Sequence, residues 1–208
     1  MKREIEKEIP IKEEIIMVLI IFIIGLCLGT FSKYLDFHQA SLPFFLKIID
    51  QKWDLHNYLG TFAPWLMIAL CLSLYANKPR NAAIFVFVFF IAMVSSYYLY
   101  CYYICGFYSL SYIMVWICLT ILSPFLAYIC WFALGSDHVA CLISSLIIGV
   151  FIHLSFSYGI FYLDIKSYMN IFMLFIILFM LHKDIKKDLL IVLGGIIFSM
   201  PIHGLYLV

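Results

Sequence analysis

The sequence predicts an all-α protein: a polytopic bundle of about seven transmembrane helices (six is the alternative count), with one short amphipathic helix in the first outer loop. Three observations predict it. Hydrophobic residues make up 66% of the 208-residue chain. They gather into long apolar runs, one of which, from Ala82 to Gly106, holds no acid, lysine, arginine or histidine. Charged residues, only 12% of the total, cluster between the runs. Roughly 20 apolar residues in a helix rise about 30 Å, the thickness of a bilayer's hydrocarbon core. Lipid offers no hydrogen bonds, so backbone groups there pair within the segment. Continuous runs do so as helices, whereas a barrel needs shorter alternating segments.

The expected organisation is a charged cytoplasmic tail, residues 1–13, and a single helical domain, residues 14–208. The tail alternates basic and acidic residues and contains Pro10, as a solvated lead-in would. The first run, 14–31, is too long for a signal peptide and meets no small-residue cleavage site. The long connection from Ser32 to Asn57 follows. Within it Leu42, Phe45, Leu46, Ile49 and Trp53 fall at helical spacing, with Lys47, Asp50, Gln51 and Asp54 on the other face. Ser41 suits an N-cap and Pro43 a first turn, so a short helix is expected at the outer interface or folded over the bundle as a lid.

Runs at 58–76, 82–105, 111–134, 139–160, 167–182 and 189–207 predict the other spans, the sixth being the shortest. Pro64, Pro124 and Pro201 fall within them and predict local bends. Asp137 and His138 adjoin in a turn, as a cap before the fifth span. Tyr97, Tyr98, Tyr100, Tyr102, Tyr103, Phe107, Tyr108 and Tyr112 crowd the outer end of the third and fourth spans, where an aromatic belt meets headgroups. Tyr98 and Tyr102, one turn apart, alternatively line a pocket.

Orientation follows from lysine and arginine. Nine lie in the tail, the 76–82 loop and the 182–189 loop, against four at Lys33, Lys47, Lys52 and Lys166. The positive-inside rule then sets the amino terminus in the cytoplasm and the carboxyl terminus outside a cell membrane.

A formal net charge of +1 offers no broad surface to nucleic acid. Mid-membrane positions hold no Asp, Glu, Lys or Arg, the groups that proton pumps, voltage sensors and many ion-coupled carriers place there. No HExxH, GxSxG, Walker or Rossmann pattern occurs, and no catalytic residue is assigned. His153 and His203 sit at similar depth in their spans; they either face each other or bond separately to nearby carbonyls. With Tyr98, Tyr102 and Trp53 on the lid, they form a candidate ligand-binding set.

Small residues recur at four-residue spacing: Gly25 and Gly29, Ser145 and Gly149, Gly195 and Ser199. These let helices approach closely, either inside the bundle or against a membrane protein partner, for which Gly25 and Gly29 are the best candidates. The outer loop repeats Asp-x-His, as Asp36 with His38 and Asp54 with His56. An extended backbone would let these carboxylates and imidazoles hold a divalent metal; otherwise they are polar groups of a solvated loop, and no cofactor is expected. Of the seven cysteines, Cys101 and Cys105 alone share a helix face and are either free or bridged. The rest read as small hydrophobes.

Three strings carry a resemblance: Gly29-Thr30-Phe31-Ser32-Lys33-Tyr34-Leu35-Asp36; Phe89-Phe90-Ile91-Ala92-Met93 with Tyr97-Tyr98-Leu99-Tyr100; and Trp116 with Ser123-Pro124-Phe125-Leu126-Ala127. Together they resemble an uncharacterised family of small multi-pass membrane proteins of Gram-positive bacteria. That resemblance spans most of the chain and implies a bacterial plasma membrane, with no activity attached. The architecture also resembles the substrate-binding subunits of energy-coupling-factor transporters, in which the first helix docks the coupling subunit through a small-xxx-small motif. Gly25 and Gly29 stand in for that motif, although the usual alanine pair is absent and there is one helix too many.

The expected function is therefore that of a non-enzymatic protein of the lipid bilayer that binds a small molecule from the outer face, as a transporter component. The alternatives are an immunity, sensor or assembly factor working by helix docking, and a metal-dependent membrane enzyme.

Overall fold

The computed structural model describes residues 9–158 and 162–204, with side chains through Met200. Residues 1–8 of the expected tail, 1–13, thus lie outside the described residues. The chain is predominantly helical. Among the described residues four helices, Ile11–Phe37, Pro79–Cys105, Leu110–Leu134 and His138–Ser155, are long and apolar enough to cross a bilayer. Two shorter apolar helices, Ala63–Leu74 and Tyr168–Met180, accompany them. The described residues fall into two compact units, 9–128 and 129–204.

The first unit contains α1 (Ile11–Phe37), α2 (Phe44–Trp53), α3 (Leu55–Gly60), α4 (Ala63–Leu74), α5 (Pro79–Tyr100) and most of α6 (Leu110–Cys130). Helices α1 and α5 run parallel and almost touch. A Cβ built on Gly25 would stand 2.7 Å from the Phe89 carbonyl oxygen and 2.8 Å from the Ala92 Cβ; one on Gly29 would collide with the Met93 carbonyl and the Ser96 hydroxyl. At their amino-terminal ends Asn81 Nδ2 donates to Glu14 Oε1 at 2.8 Å, and Arg80 lies 3.7 Å from the same carboxylate.

The run expected as one span over 58–76 is broken. α3 stops at Gly60, Thr61 is extended, and α4 starts with Pro64 in its first turn. Proline has no N–H to give and disfavours a helical turn before it, so Pro64 starts a helix here where a bend was expected. Pro124, by contrast, lies inside α6. The carbonyl that its missing N–H would have bonded, that of Thr120, accepts instead from the Ser123 hydroxyl at 2.8 Å. α4 and α6 also run parallel, with Tyr112 bonded to the Gly60 carbonyl at one end and Ser73 to the Ala127 carbonyl at the other. α5 ends in a π turn, Cys101–Cys105, closed by a left-handed Gly106. The two thiols are free.

The second unit contains α7 (His138–Ser155), a hairpin of β1 (Phe156–Tyr158) and β2 (Leu163–Ile165), α8 (Tyr168–Met180) and α9 (Ile185–Gly204). Asp137 is the N-cap of α7, accepting from the Ala140 N–H at 3.1 Å; that bond holds its carboxyl below the usual carboxylate range. The fifth span was expected to run to residue 160, but α7 ends at Ser155. Its last carbonyls are taken by donors from beyond the hairpin: Lys166 Nζ on His153, Asn170 Nδ2 on Leu154 and the Lys166 N–H on Ser155. The strands pair antiparallel with Phe156 opposite Ile165. α7 and α9 run parallel through small residues. A Cβ on Gly149 would lie 2.9 Å from the Gly195 carbonyl oxygen, and one on Gly194 would lie 2.7 Å from the Ser145 hydroxyl. Each unit thus holds two parallel helices seated glycine-deep on each other, with a shorter apolar helix between them in sequence.

Candidate functional site

In the first unit the carboxyl-terminal ends of α1 and α5, the amino-terminal end of α6 and the break between α3 and α4 meet around a small cleft of about 20 Å3, room for little more than a water molecule. Five aromatic side chains line it: Trp65, Tyr97, Tyr98, Tyr112 and Trp116. Met93 and Val94 of α5, Ser32 of α1, and Leu59 and Gly60 of α3 complete the wall. α3 is held over the cleft by its own terminal carbonyls. Trp65 Nε1 donates to the Leu59 oxygen at 2.8 Å, Ser32 Oγ reaches the same oxygen at 3.4 Å, and Tyr112 Oη donates to the Gly60 oxygen at 3.0 Å. Those donors are occupied. The Tyr98 hydroxyl is different: it is buried and has no hydrogen-bond partner. Leaving such a group unmet costs about 1–3 kcal/mol.

A second polar feature ties α3 to α2. Asp50 is only 7% exposed and accepts from the His56 backbone N–H at 2.8 Å, while His56 Nδ1 lies 2.9 Å from both carboxylate oxygens. His56 Nε2 is 2.9 Å from the Gln39 side-chain nitrogen. With Nδ1 protonated toward Asp50, Nε2 accepts from the Gln39 amide, and every group is paired. Burial alone would push the Asp50 carboxyl up, but the His56 N–H and imidazole outweigh it and hold the carboxyl below its usual value.

These contacts locate the other sequence candidates. Tyr98 lines the cleft; Tyr102 is 61% exposed, with its ring against Tyr103 and Tyr108. Trp53 is exposed at the end of α2, with the Lys52 ammonium over its ring, and the cover it was expected to supply comes from Leu59 and Gly60 of α3. α2 begins after Pro43, with Ser41 in a preceding 3-10 turn. Asp50, expected on its solvated face, is buried, while Phe44 and Phe45 are exposed. His153 is buried at the end of α7 in the second unit. His203 lies in the last turn of α9, and its side chain is outside the described residues.

The two Asp-x-His strings are not extended. Asp36 lies in the last turn of α1 and pairs with Lys33. His38 stacks on Tyr34. Asp54 is a left-handed residue between α2 and α3, its carboxylate 3.4 Å from His56 Nδ1 and bonded to Asn57. Among the described residues no group of three or more His, Cys, Asp or Glu side chains is arranged to hold a metal ion. The Gly25 and Gly29 face, read as the best docking surface for a separate partner, is filled by α5.

Sequence reasoning missed most of the cleft. Tyr112 and Trp116 stand one turn apart on α6, and their rings meet at 6.2 Å, which is a spacing that could have been read. Trp65 and the α3 carbonyls gave no such signal, because the break at Thr61 was not anticipated. No family model, curated protein or solved structure matches this chain.

Proposed function

We propose that this chain is an integral membrane protein that binds a compact small molecule in the aromatic cleft of residues 9–128, which widens to admit it. One observation carries the reading: five aromatic rings wall one cleft, and one of those residues, Tyr98, has a buried hydroxyl without a partner. Apolar walls with a few convergent polar groups are the usual makings of a ligand site. A bound molecule that meets Tyr98 removes the cost of the orphaned hydroxyl, so binding and desolvation act together.

The membrane arrangement belongs to the same reading. Seven crossings, α1, α3 with α4, α5, α6, α7, α8 and α9, set the amino terminus in the cytoplasm and the carboxyl terminus outside. The basic loops support this, and so does the parallel course of α1 and α5, which requires the intervening chain to return across the bilayer. The cleft then opens near the outer surface, and α2, with Phe44, Phe45 and Ile48 exposed, lies in the headgroup layer.

Photolabelling tests the site. A neutral benzyl alcohol carrying a diazirine, applied to the protein in nanodiscs, is expected to label the Met93–Tyr98 and Tyr112–Trp116 peptides, and excess benzyl alcohol is expected to suppress that labelling. Label scattered over lipid-facing residues and insensitive to competitor would remove the proposal.

A further inference from the structure

We infer that Cys101 and Cys105 form a redox-active dithiol, which closes into a disulfide within one helical turn by exchange with a low-molecular-weight disulfide. This inference stands apart from the cleft and does not depend on its ligand.

The backbone supplies the first argument. In an α-helix, side chains four residues apart have Cβ atoms roughly 5–6 Å apart, whereas a disulfide needs about 3.5–4.5 Å. An ordinary helix therefore holds such a pair too far apart. α5 leaves α-helical geometry at Cys101: residues Cys101–Cys105 form a π turn, closed by the Gly106 N–H on the Cys101 carbonyl oxygen at 2.9 Å. That wider turn brings residues four apart closer together and more nearly into line along the axis. Single π turns inside helices are frequent at functional sites.

The side chains use that geometry. Both thiols are free and are hydrogen-bonded to each other, so the sulfurs that would join are already neighbours. Their access differs. Cys101 is only 3% exposed, while Cys105 is partly exposed and precedes Gly106, whose built Cβ would meet nothing within 4 Å. An incoming disulfide reaches Cys105 first, and Cys101 is left as the resolving thiol.

The exchange balances in two steps. Cys105 gives up its proton, its sulfur attacks one sulfur of R–S–S–R, a mixed disulfide forms and one R–S⁻ leaves. Cys101 then gives up its proton and attacks the Cys105 sulfur; the Cys101–Cys105 bond forms and the second R–S⁻ leaves. The two leaving thiolates take up the two protons, so the protein loses two electrons and R–S–S–R is reduced to two R–SH. In the orientation proposed above the turn lies at the outer face, where protein disulfides form and persist. A bond across one turn is strained and easily reduced again, which suits a cycling pair.

Glutathione disulfide is the probe. The full chain in nanodiscs is incubated with it in mildly alkaline buffer, quenched with acid, alkylated and mapped by peptide mass. The wild-type peptide holding Cys101 and Cys105 is expected to become lighter by two hydrogens and carry no glutathione, and dithiothreitol is expected to restore them. Cys101→Ser is expected to stop with glutathione on Cys105, and Cys105→Ser to leave Cys101 reduced. Wild type that stays reduced, or that keeps glutathione on Cys105, would overturn the inference. Glutathione on Cys101 in Cys105→Ser, arriving as fast as on Cys105 in the other variant, would overturn the order of attack.

Discussion

Gly25 of α1 sits against the backbone of Phe89 on α5, leaving 2.7 Å between the Phe89 carbonyl oxygen and the place a Cβ would occupy. Contact this close lets two helices gain dispersion and weak C–H hydrogen bonds in a solvent that supplies no hydrophobic drive between them. Gly25→Ala and Gly29→Ala should each lower stability by about 1–3 kcal/mol, the usual range for overpacking. Gly60, with nothing within 4 Å of its built Cβ, provides the control: Gly60→Ala should leave unfolding in mild denaturant unchanged.

The second unit should obey the same rule. Gly149→Leu drives a branched side chain into the Gly195 carbonyl, the Phe198 Cβ and the Ser199 backbone nitrogen. Limited proteolysis is expected to cut faster within residues 138–204 in that variant, with the fragment of residues 9–128 protected as before. Equal protection of both regions would show that α7 and α9 yield without cost.

Pro124 and Ser123 form a coupled pair through the Thr120 carbonyl. Ser123→Ala leaves that carbonyl without its side-chain donor and should cost about 1–2 kcal/mol. In a Pro124→Ala background the backbone N–H returns to serve the same carbonyl, and Ser123→Ala should cost much less. A double-mutant cycle on thermal stability measures the coupling; additive effects would contradict it.

The Asp50 clasp predicts an acid sensitivity. A carboxyl held below its ordinary value stabilises the fold above that value and loses the contribution as pH falls through its lower, folded-state value. The folded-state value of Asp50 is depressed, so the loss falls below about pH 4. Thermal unfolding from pH 7 down to pH 3 should show wild type losing more stability than Asp50→Asn, which never had the ionised contact. Parallel curves would show that the His56 pairing contributes nothing.

Much of this architecture was readable because lipid imposes long continuous apolar runs. Ala82 to Gly106 announces a helix with no competing interpretation, and the four-residue spacing of Gly25 with Gly29 and Ser145 with Gly149 announced close helix contacts without naming the partner helix. The failures share a cause: they depend on groups far apart in sequence. α7 ends at Ser155 because Lys166 and Asn170 cap it from the far side of a hairpin. Asp50 reads as a solvated residue on α2 until His56, across the left-handed Asp54, folds back onto it. The cleft was half visible. Tyr98 was a candidate from its position among the tyrosines, but Tyr102, one turn on, falls in the π turn after α5 and faces outward.

The most direct measurement is the thermal unfolding of wild type and Tyr98→Phe, each with and without saturating benzyl alcohol. An orphaned buried hydroxyl penalises the free protein, so Tyr98→Phe without ligand should melt higher than wild type. Benzyl alcohol should then raise the wild-type midpoint and leave the variant nearly unmoved. A variant that melts lower when free, or that gains as much from the alcohol as wild type does, would contradict a hydroxyl held vacant for a ligand.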